Sequence, residues 1–132
     1  MPVIVRPKPL RELESDLMRR IRAALAKMPD VVLFRNNVGV LRDARGVAVR
    51  YGLATGSADL VGSVRFPARC PPDGKHWWAR SLAIEVKRPG EKPTPEQSAW
   101  LEAMKAQGWI TGVCTSPEEA MGLVERARRW EV

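Results

Sequence analysis

The sequence predicts one α/β domain in which a β-sheet is flanked by helices. Helical segments with apolar stripes or capping signals alternate with short runs of β-branched and apolar residues that are typical of strands. The predicted order is a helix, four or five strands, a helix, a strand and a helix. At 132 residues the chain can bury one hydrophobic core but is too short for two domains.

Apolar residues at intervals of three and four predict an amphipathic helix over residues 10–28. A Pro-Asp pair ends it, and VVLFR at 31–35 has the composition of a short strand. The polar, basic segment 36–45 followed by a short strand at 47–51 predicts a hairpin.

The next two strands are predicted at 59–64 and 81–87. We expect a long hairpin connection between them over 65–80, because this interval holds several prolines and an Asp-Gly pair, which are typical of turns.

Two later segments carry helix-start signals. TPEQ at 94–97 is a capping box with proline at the first helical position, and it predicts a helix through Gln107 that Gly108 ends. A strand at 109–114 follows. SPEE at 116–119 repeats the start signal for a last helix to about Trp130.

The chain is strongly basic, with 22 Lys and Arg against 15 Asp and Glu and a net charge of +7. Such a charge points to a polyanionic partner, either nucleic acid or an anionic membrane surface. Eleven of the basic residues lie in the first 50 positions, against five acidic ones, which predicts a basic face there. The alternative is that the charge only keeps the protein soluble.

Several classes of protein are disfavoured. Cys70 and Cys114 lack metal-ligand spacing, and a structural disulfide is not expected. No apolar run approaches the roughly 18 residues of a membrane span, and no signal-peptide pattern is present. We expect a soluble cytoplasmic protein with no membrane partner. Three prolines with two basic residues predict a flexible basic arm over 1–9, followed by one domain over 10–132.

Three charged residues have the strongest claim to chemistry. Glu85 and Lys87 lie two residues apart in an apolar strand, so their side chains leave the sheet on the same face. Asp59 begins another apolar run after a Gly-Ser turn. On neighbouring strands, two carboxylates can hold a divalent cation and a lysine can steer a water. The alternative is an edge strand with a solvated polar face.

These residues resemble the PD-(D/E)XK nuclease superfamily and, within it, the virus-type replication-repair nuclease (VRR-NUC) family. The similarity extends over nearly the whole domain. One departure is Ala58, where the family usually has proline before its first catalytic aspartate. The similar segments are Glu14 in the first helix, FRNNVG at 34–39, RYGLATGSAD at 50–59, EVK at 85–87 and EQSAWLEAMKAQG at 96–108.

The resemblance implies a restriction-endonuclease-like core, with a central mixed sheet flanked by helices, and an active site. In it, Asp59 and Glu85 would bind Mg²⁺ or Mn²⁺ with help from the backbone carbonyl of Val86. Lys87 would orient or deprotonate the attacking water. Gln97 would reach back to the active site from its helix, or alternatively serve only as the capping-box partner of its helix start.

The resemblance also implies two further groups of residues. Glu14 would supplement metal binding, the alternative being an ordinary solvated helix charge. Residues suited to DNA phosphate contacts through charge or amide donors lie in or near a family-like segment. They are Arg35, Asn36, Asn37, Arg42, Arg45 and Arg50.

The expected activity is that of a Mg²⁺-dependent DNA endonuclease. Stand-alone domains of this family resemble Holliday-junction resolvases that work as homodimers, which favours branched DNA as the substrate. Two other possibilities stay open at this point: a monomeric flap or single-strand nuclease, and a non-catalytic DNA-binding module.

Overall fold

The computed structural model of the protein describes residues 2–4, 11–69 and 74–130. The predicted basic arm over 1–9 lies mostly outside these residues, as does Cys70. None of the described helices has the length and apolar character needed to cross a lipid bilayer. The described elements are α1 (Glu14–Ala26), β1 (Val31–Arg35), β2 (Gly39–Arg42), β3 (Ala48–Tyr51), β4 (Leu60–Arg69), β5 (Trp77–Val86), α2 (Pro95–Ala106), β6 (Ile110–Cys114) and α3 (Pro117–Arg128).

A four-stranded sheet forms the centre of the fold, with strand order β1-β4-β5-β6. β1, β4 and β5 are antiparallel neighbours, and β6 runs parallel to β5. The parallel pair arises because β5 and β6 are joined through α2, the crossover that parallel strands require. The predicted α/β class, with a mixed central sheet flanked by helices, is confirmed.

Helices cover both faces of this sheet. On one face, Leu17, Ile21 and Leu25 of α1, together with α3, pack on alternate residues of β5, including Leu82 and Ile84. On the other face, a smaller cluster contains Ala58, Ala83 and Leu101 of α2, with Trp100 and Trp109 packed against it. Residues 82–86 of β5 are therefore buried on both faces, which suits their nearly continuous apolar sequence.

The helix starts follow their local signals. The hydroxyl of Thr94 accepts a hydrogen bond from the backbone N–H of Gln97 at 3.2 Å, and the Gln97 side chain accepts one from the N–H of Thr94 at 2.9 Å. The predicted capping box is thus confirmed. Ser116 caps α3 in the same way, at 3.1 Å from the N–H of Glu119. α1 begins at Glu14, four residues later than predicted.

The hairpin predicted to join β4 and β5 is confirmed, but its connection is shorter than the predicted 65–80. β4 continues to Arg69 and β5 begins at Trp77, so the two strands form a long hairpin. Proline is accepted within β4 because the pairing register shifts between Arg65 and Arg69, where a backbone donor is not needed for the ladder. The guanidinium groups of Arg65 and Arg69 lie 4.4 and 5.0 Å from the ring centre of Trp77, a cation–π contact that stabilises the extension.

The hairpin predicted around residues 36–51 is confirmed, as a separate two-stranded sheet of β2 and β3. The side chain of Asp43 closes its turn by accepting hydrogen bonds from the N–H groups of Arg45 and Val47, at 2.8 and 2.9 Å. Nearly all of its residues are exposed, since this small sheet stands beside the central sheet rather than within it.

The contact between β1 and β4 depends on a residue without a side chain. A Cβ atom on Gly62 would lie 1.8 Å from the backbone oxygen of Val32, so an alanine would force the two strands apart.

We expect Gly62→Ala to lower the free energy of unfolding by about 1–3 kcal/mol. Gly122→Ala is the matched control. Gly122 lies in α3 with open space around its Cα, and this change should raise stability by about 0.5–1 kcal/mol. Urea denaturation measures both, and a Gly62→Ala variant as stable as wild type would contradict the expected strand separation.

Candidate active site

Asp59 and Glu85 are brought together by the pairing of β4 with β5. Leu60 lies opposite Ile84, so Asp59, just before β4, comes next to Glu85. Leu60 and Ile84 point into the core under α1 and α3. Because strand side chains alternate, Asp59 and Glu85 turn to the opposite face of the sheet, and Lys87 follows on the same side.

Asp59 is held by the neighbouring strand. Its Oδ2 atom accepts a hydrogen bond of 2.8 Å from the backbone N–H of Val86. The carboxylate thus continues the pairing of β4 with β5 beyond the last backbone pair. A hydrogen bond to a charged acceptor is stronger than a neutral one, so this contact fixes the position of the carboxylate.

Glu85 is buried, with only 1% of its surface exposed. Its Oε1 atom lies 3.6 Å from the Nζ atom of Lys87, and among the described residues its Oε2 atom has no hydrogen-bond partner. Burial disfavours the charged form and raises the pKa of Glu85 from 4.5 to about 8. The negative charge of Asp59 contributes to this shift of the pKa, and the charge of Lys87 opposes it.

This pair of carboxyl groups suits a hard divalent cation. A buried carboxyl oxygen without a partner is costly, and a bound cation would satisfy it while also offsetting the repulsion between the two acids. Oxygen donors of this kind are those that Mg²⁺ and Mn²⁺ prefer. Among residues 2–4, 11–69 and 74–130, however, no group of three or more His, Cys, Asp or Glu side chains is placed to hold a metal ion. Glu14, half-buried in the first turn of α1, therefore does not join Asp59 and Glu85 in such a group.

Lys87 is well placed beside the two acids. Its side chain is 13% exposed, so the ammonium group lies at the edge of the site rather than in bulk water. Its backbone N–H donates a hydrogen bond of 3.1 Å to the carbonyl of Cys114 in β6. The sheet therefore fixes the backbone on both sides of Glu85.

Gln97 lies at the start of α2, which packs against the loop that leads to Asp59. A Cβ atom on Gly56 in that loop would lie 2.9 Å from the backbone of Glu96, so helix and loop are in close contact. The side-chain oxygen Oε1 of Gln97 accepts the hydrogen bond of the capping box. The side-chain NH₂ group of Gln97 is the part that remains for a role in the active site.

A cleft of about 550 Å³ opens beside Asp59. It brings together the carboxylate and three of the residues predicted to contact DNA, namely Arg35, Asn36 and Asn37. Of these, Asn36 is half-buried, and its side chain is hydrogen-bonded to the loop before Asp59. The other walls are formed by Met18, Val38, Leu41 and Tyr51.

Arg42, Arg45 and Arg50 lie on the β2–β3 hairpin and do not line this cleft. Arg42 donates a hydrogen bond to the carbonyl of Gly46 at 2.8 Å, and Arg50 donates one to the hydroxyl of Thr55 at 3.2 Å. All three side chains are exposed, so the hairpin carries a basic surface next to the cleft.

Sequence reasoning missed three residues of this region. Leu41 and Tyr51 line the cleft from one face of the hairpin, where the alternation of β2 and β3 places them together. Ser57 is buried and receives a hydrogen bond of 2.7 Å from the side chain of Asn36. The only available signal for Ser57 was a polar residue between Gly56 and Ala58, directly before the carboxylate.

Comparison with known families agrees with this geometry. A family model described as the VRR-NUC domain matches residues 3–118 of the 132-residue chain. The matched range contains both acids, Lys87, the cleft and α2. No curated protein matches the chain.

The raised pKa of Glu85 predicts how metal-free protein responds to pH. Between about 4.5 and 8 the folded state keeps a proton on Glu85 that the unfolded state has released, so stability falls as pH rises across this interval. We expect the free energy of unfolding in a chelator to drop by at least about 1 kcal/mol from pH 5.5 to 8.5. Glu85→Gln, which stays neutral, should remove this drop. Urea denaturation at the two pH values measures it, and an equal drop in the variant would assign the effect to another group.

Proposed function

The chain belongs to the VRR-NUC family of nuclease domains, and we propose that it is a Mg²⁺- or Mn²⁺-dependent DNA endonuclease that hydrolyses phosphodiester bonds. The family makes it a nuclease with DNA as its substrate. One observation supports the metal-dependent step: the buried Glu85 carboxyl lies beside Asp59 and has an oxygen that no other described residue hydrogen-bonds. We also propose that the central sheet is a PD-(D/E)XK, restriction-endonuclease-like core within one domain over residues 10–132.

Asp59 and Glu85 would hold the cation through their carboxylates, with the backbone carbonyl of Val86 as a third oxygen ligand. Glu14, which is not grouped with these two acids in the structure, would supplement the site only on binding of the cation. A bound divalent cation would polarise the scissile phosphate, lower the pKa of water and offset charge on the leaving oxygen. After burial, the charge of Asp59 is the next cause of the raised pKa of Glu85, and a bound cation would offset this repulsion between the two acids.

Lys87 would orient the attacking water or take its proton. Its ammonium group is tethered 3.6 Å from Glu85, which keeps it beside the carboxylates. Gln97 would contribute through its amide group, donating a hydrogen bond to the water or the phosphate while its carbonyl oxygen stays in the capping box.

Two surfaces would bind the DNA backbone. Arg35 and Asn37 line the cleft that contains Asp59 and would contact phosphates close to the cut. Arg42, Arg45 and Arg50 would contact phosphates further along the strand, from the basic surface of the hairpin. The net charge of +7 supports such a role.

We propose branched DNA as the preferred substrate and a homodimer as the active form. Two symmetry-related cuts across a junction require two active sites, and one chain contributes one pair of carboxylates. This assignment rests on the resemblance of stand-alone domains of the family to Holliday-junction resolvases.

We expect Lys87→Ala to lower the rate of cleavage by about 10²-fold or more, because the water loses its orienting or basic group. Asp59→Ala should abolish both cleavage and metal binding. The measurement uses labelled four-way junction, flap, single-stranded and duplex DNA with Mg²⁺ or Mn²⁺, with Lys105→Ala at the far end of α2 as control. If the wild-type protein bound the junction tightly but cut it with neither metal, the protein would be a DNA-binding module rather than an enzyme. If the protein cut flaps and stayed monomeric in light scattering, it would be a monomeric flap nuclease and the mechanism of paired cuts would be wrong.

The hairpin arginines should act through charge. Arg42→Ala and Arg50→Ala are each expected to weaken DNA binding. Each should also reduce the slope of the logarithm of the binding constant against the logarithm of the salt concentration by about 1, which corresponds to one phosphate contact. Mn²⁺ affinity should stay unchanged, since neither side chain contacts the carboxylates. Fluorescence anisotropy at several salt concentrations measures the slope. If both variants bind DNA like wild type at low salt, the DNA-binding face lies elsewhere on the protein.

A further inference from the structure

The side chain of Asn36 is hydrogen-bonded at both of its ends to the loop formed by residues 53–59, which we name the Asp59 loop. Its Nδ2 atom donates to the hydroxyl of Ser57 at 2.7 Å and to the carbonyl of Ala58 at 2.8 Å. Its Oδ1 atom accepts from the N–H of Leu53 at 3.2 Å. The Asn36 backbone N–H adds a bond of 2.8 Å to the carbonyl of Asp59.

These bonds use the particular chemistry of an amide side chain. Both N–H donors and an acceptor are needed at once, and asparagine offers them from opposite ends of one short, planar group. Ser57 and Ala58 are buried, at 8% and 0% exposure, so their polar groups would be costly to leave without partners. An aspartate of the same shape could accept from Leu53 but could not donate to the Ala58 carbonyl.

The Asp59 loop depends on such contacts because it has no helix or strand of its own. Gly56 adopts a positive φ of 84°, which an L-residue rarely adopts. The loop is also in close contact with the backbone of Glu96 at the start of α2. The loop is therefore held by the hydrogen bonds of Asn36, directly after β1, and by the start of α2.

The position of the Asp59 carboxylate follows from this arrangement. Asp59 ends the loop, its carbonyl is bound by the Asn36 N–H, and its Oδ2 atom must reach the N–H of Val86 at 2.8 Å to lie beside Glu85. A shift of the loop by even about 1 Å would break a bond of this length. Asn36 lies in the cleft, but its polar atoms are turned to the loop and not to a passing phosphate.

We infer that Asn36 is a positioning residue, which holds the Asp59 loop so that the Asp59 carboxylate stays in register with Glu85. This deepens the proposed function, on which its catalytic consequence rests, and it replaces the phosphate contact that the sequence predicted for Asn36. Asn37, the next residue, is exposed in the same cleft and keeps the phosphate role.

Hydrogen exchange in metal-free protein tests the positioning directly. In Asn36→Ala, the Val86 amide should exchange about 10-fold faster than in wild type, while the Ile84 amide one pair earlier in the ladder stays within about twofold. Asn36→Asp should behave like Asn36→Ala, because the donor to Ala58 is lost. Asn37→Ala is the matched control and should leave both amides unchanged. Ser57→Ala removes one of the bonds and should give a smaller increase at Val86 in a protein that keeps its fold.

Two binding measurements complete the test. Calorimetry should show Mn²⁺ affinity about 10-fold weaker in Asn36→Ala, as expected when a supporting hydrogen bond is lost. DNA affinity without metal should stay within about twofold of wild type. The inference would be overturned if the Val86 amide exchanged as slowly as in wild type in both Asn36→Ala and Ser57→Ala, and if Asn36→Ala also bound DNA more weakly without metal. Asn36 would then be a phosphate contact. A wild-type protein that binds no metal and cuts no DNA would instead overturn the proposed function, whereas the exchange result would still decide the role of Asn36.

Discussion

The burial of Glu85 beside Asp59 is the constraint on which the rest of the structure depends. A carboxyl group at 1% exposure is unfavourable in an otherwise apolar strand unless a proton, a cation or a close partner compensates it. Burial on both faces of β5 requires helices on both sides of the sheet, and the chain supplies them with α1 and α3 on one side and α2 on the other. The parallel strand β6 then closes the far side of Glu85, where the Lys87 N–H binds Cys114.

The same requirement explains why the residues around the acids are so heavily hydrogen-bonded. Under the proposed metal binding, the two acids must keep a fixed separation, because a cation satisfies both only when both reach it. β5 fixes Glu85 through regular pairing. Asp59 precedes its strand, and its position is maintained instead by the Val86 N–H, by Asn36 and by the start of α2. The capping box of α2 thus has a consequence beyond helix stability, since the first turn of that helix packs on the loop that carries the acid.

The parts of the fold that could be predicted from the sequence are those decided by nearby residues. The starts of α2 and α3 followed from caps within four positions, and Asp59, Glu85 and Lys87 were marked by charge in apolar strands. The length of the β4–β5 hairpin could not be predicted, because stacking of Arg65 and Arg69 on Trp77 joins residues on two strands and outweighs the local turn signals. The role of Asn36 was hidden for the same reason, since its partners lie 17 to 22 positions away and only the folded chain shows that its amide is already occupied.

Ala58 shows how the loop tolerates the absence of proline. A ring at this position would restrict φ, but the carbonyl of residue 58 is the group that Asn36 binds, and a carbonyl is present with either residue. Ala58 is also fully buried beside Ala83 and Leu101, so its small side chain is packed on the sheet under α2. The carboxylate of Asp59 is therefore presented by tertiary hydrogen bonds and packing rather than by a locally stiffened backbone. It follows that the geometry of this site depends on Asn36, directly after β1, and on the start of α2, as well as on the acids themselves.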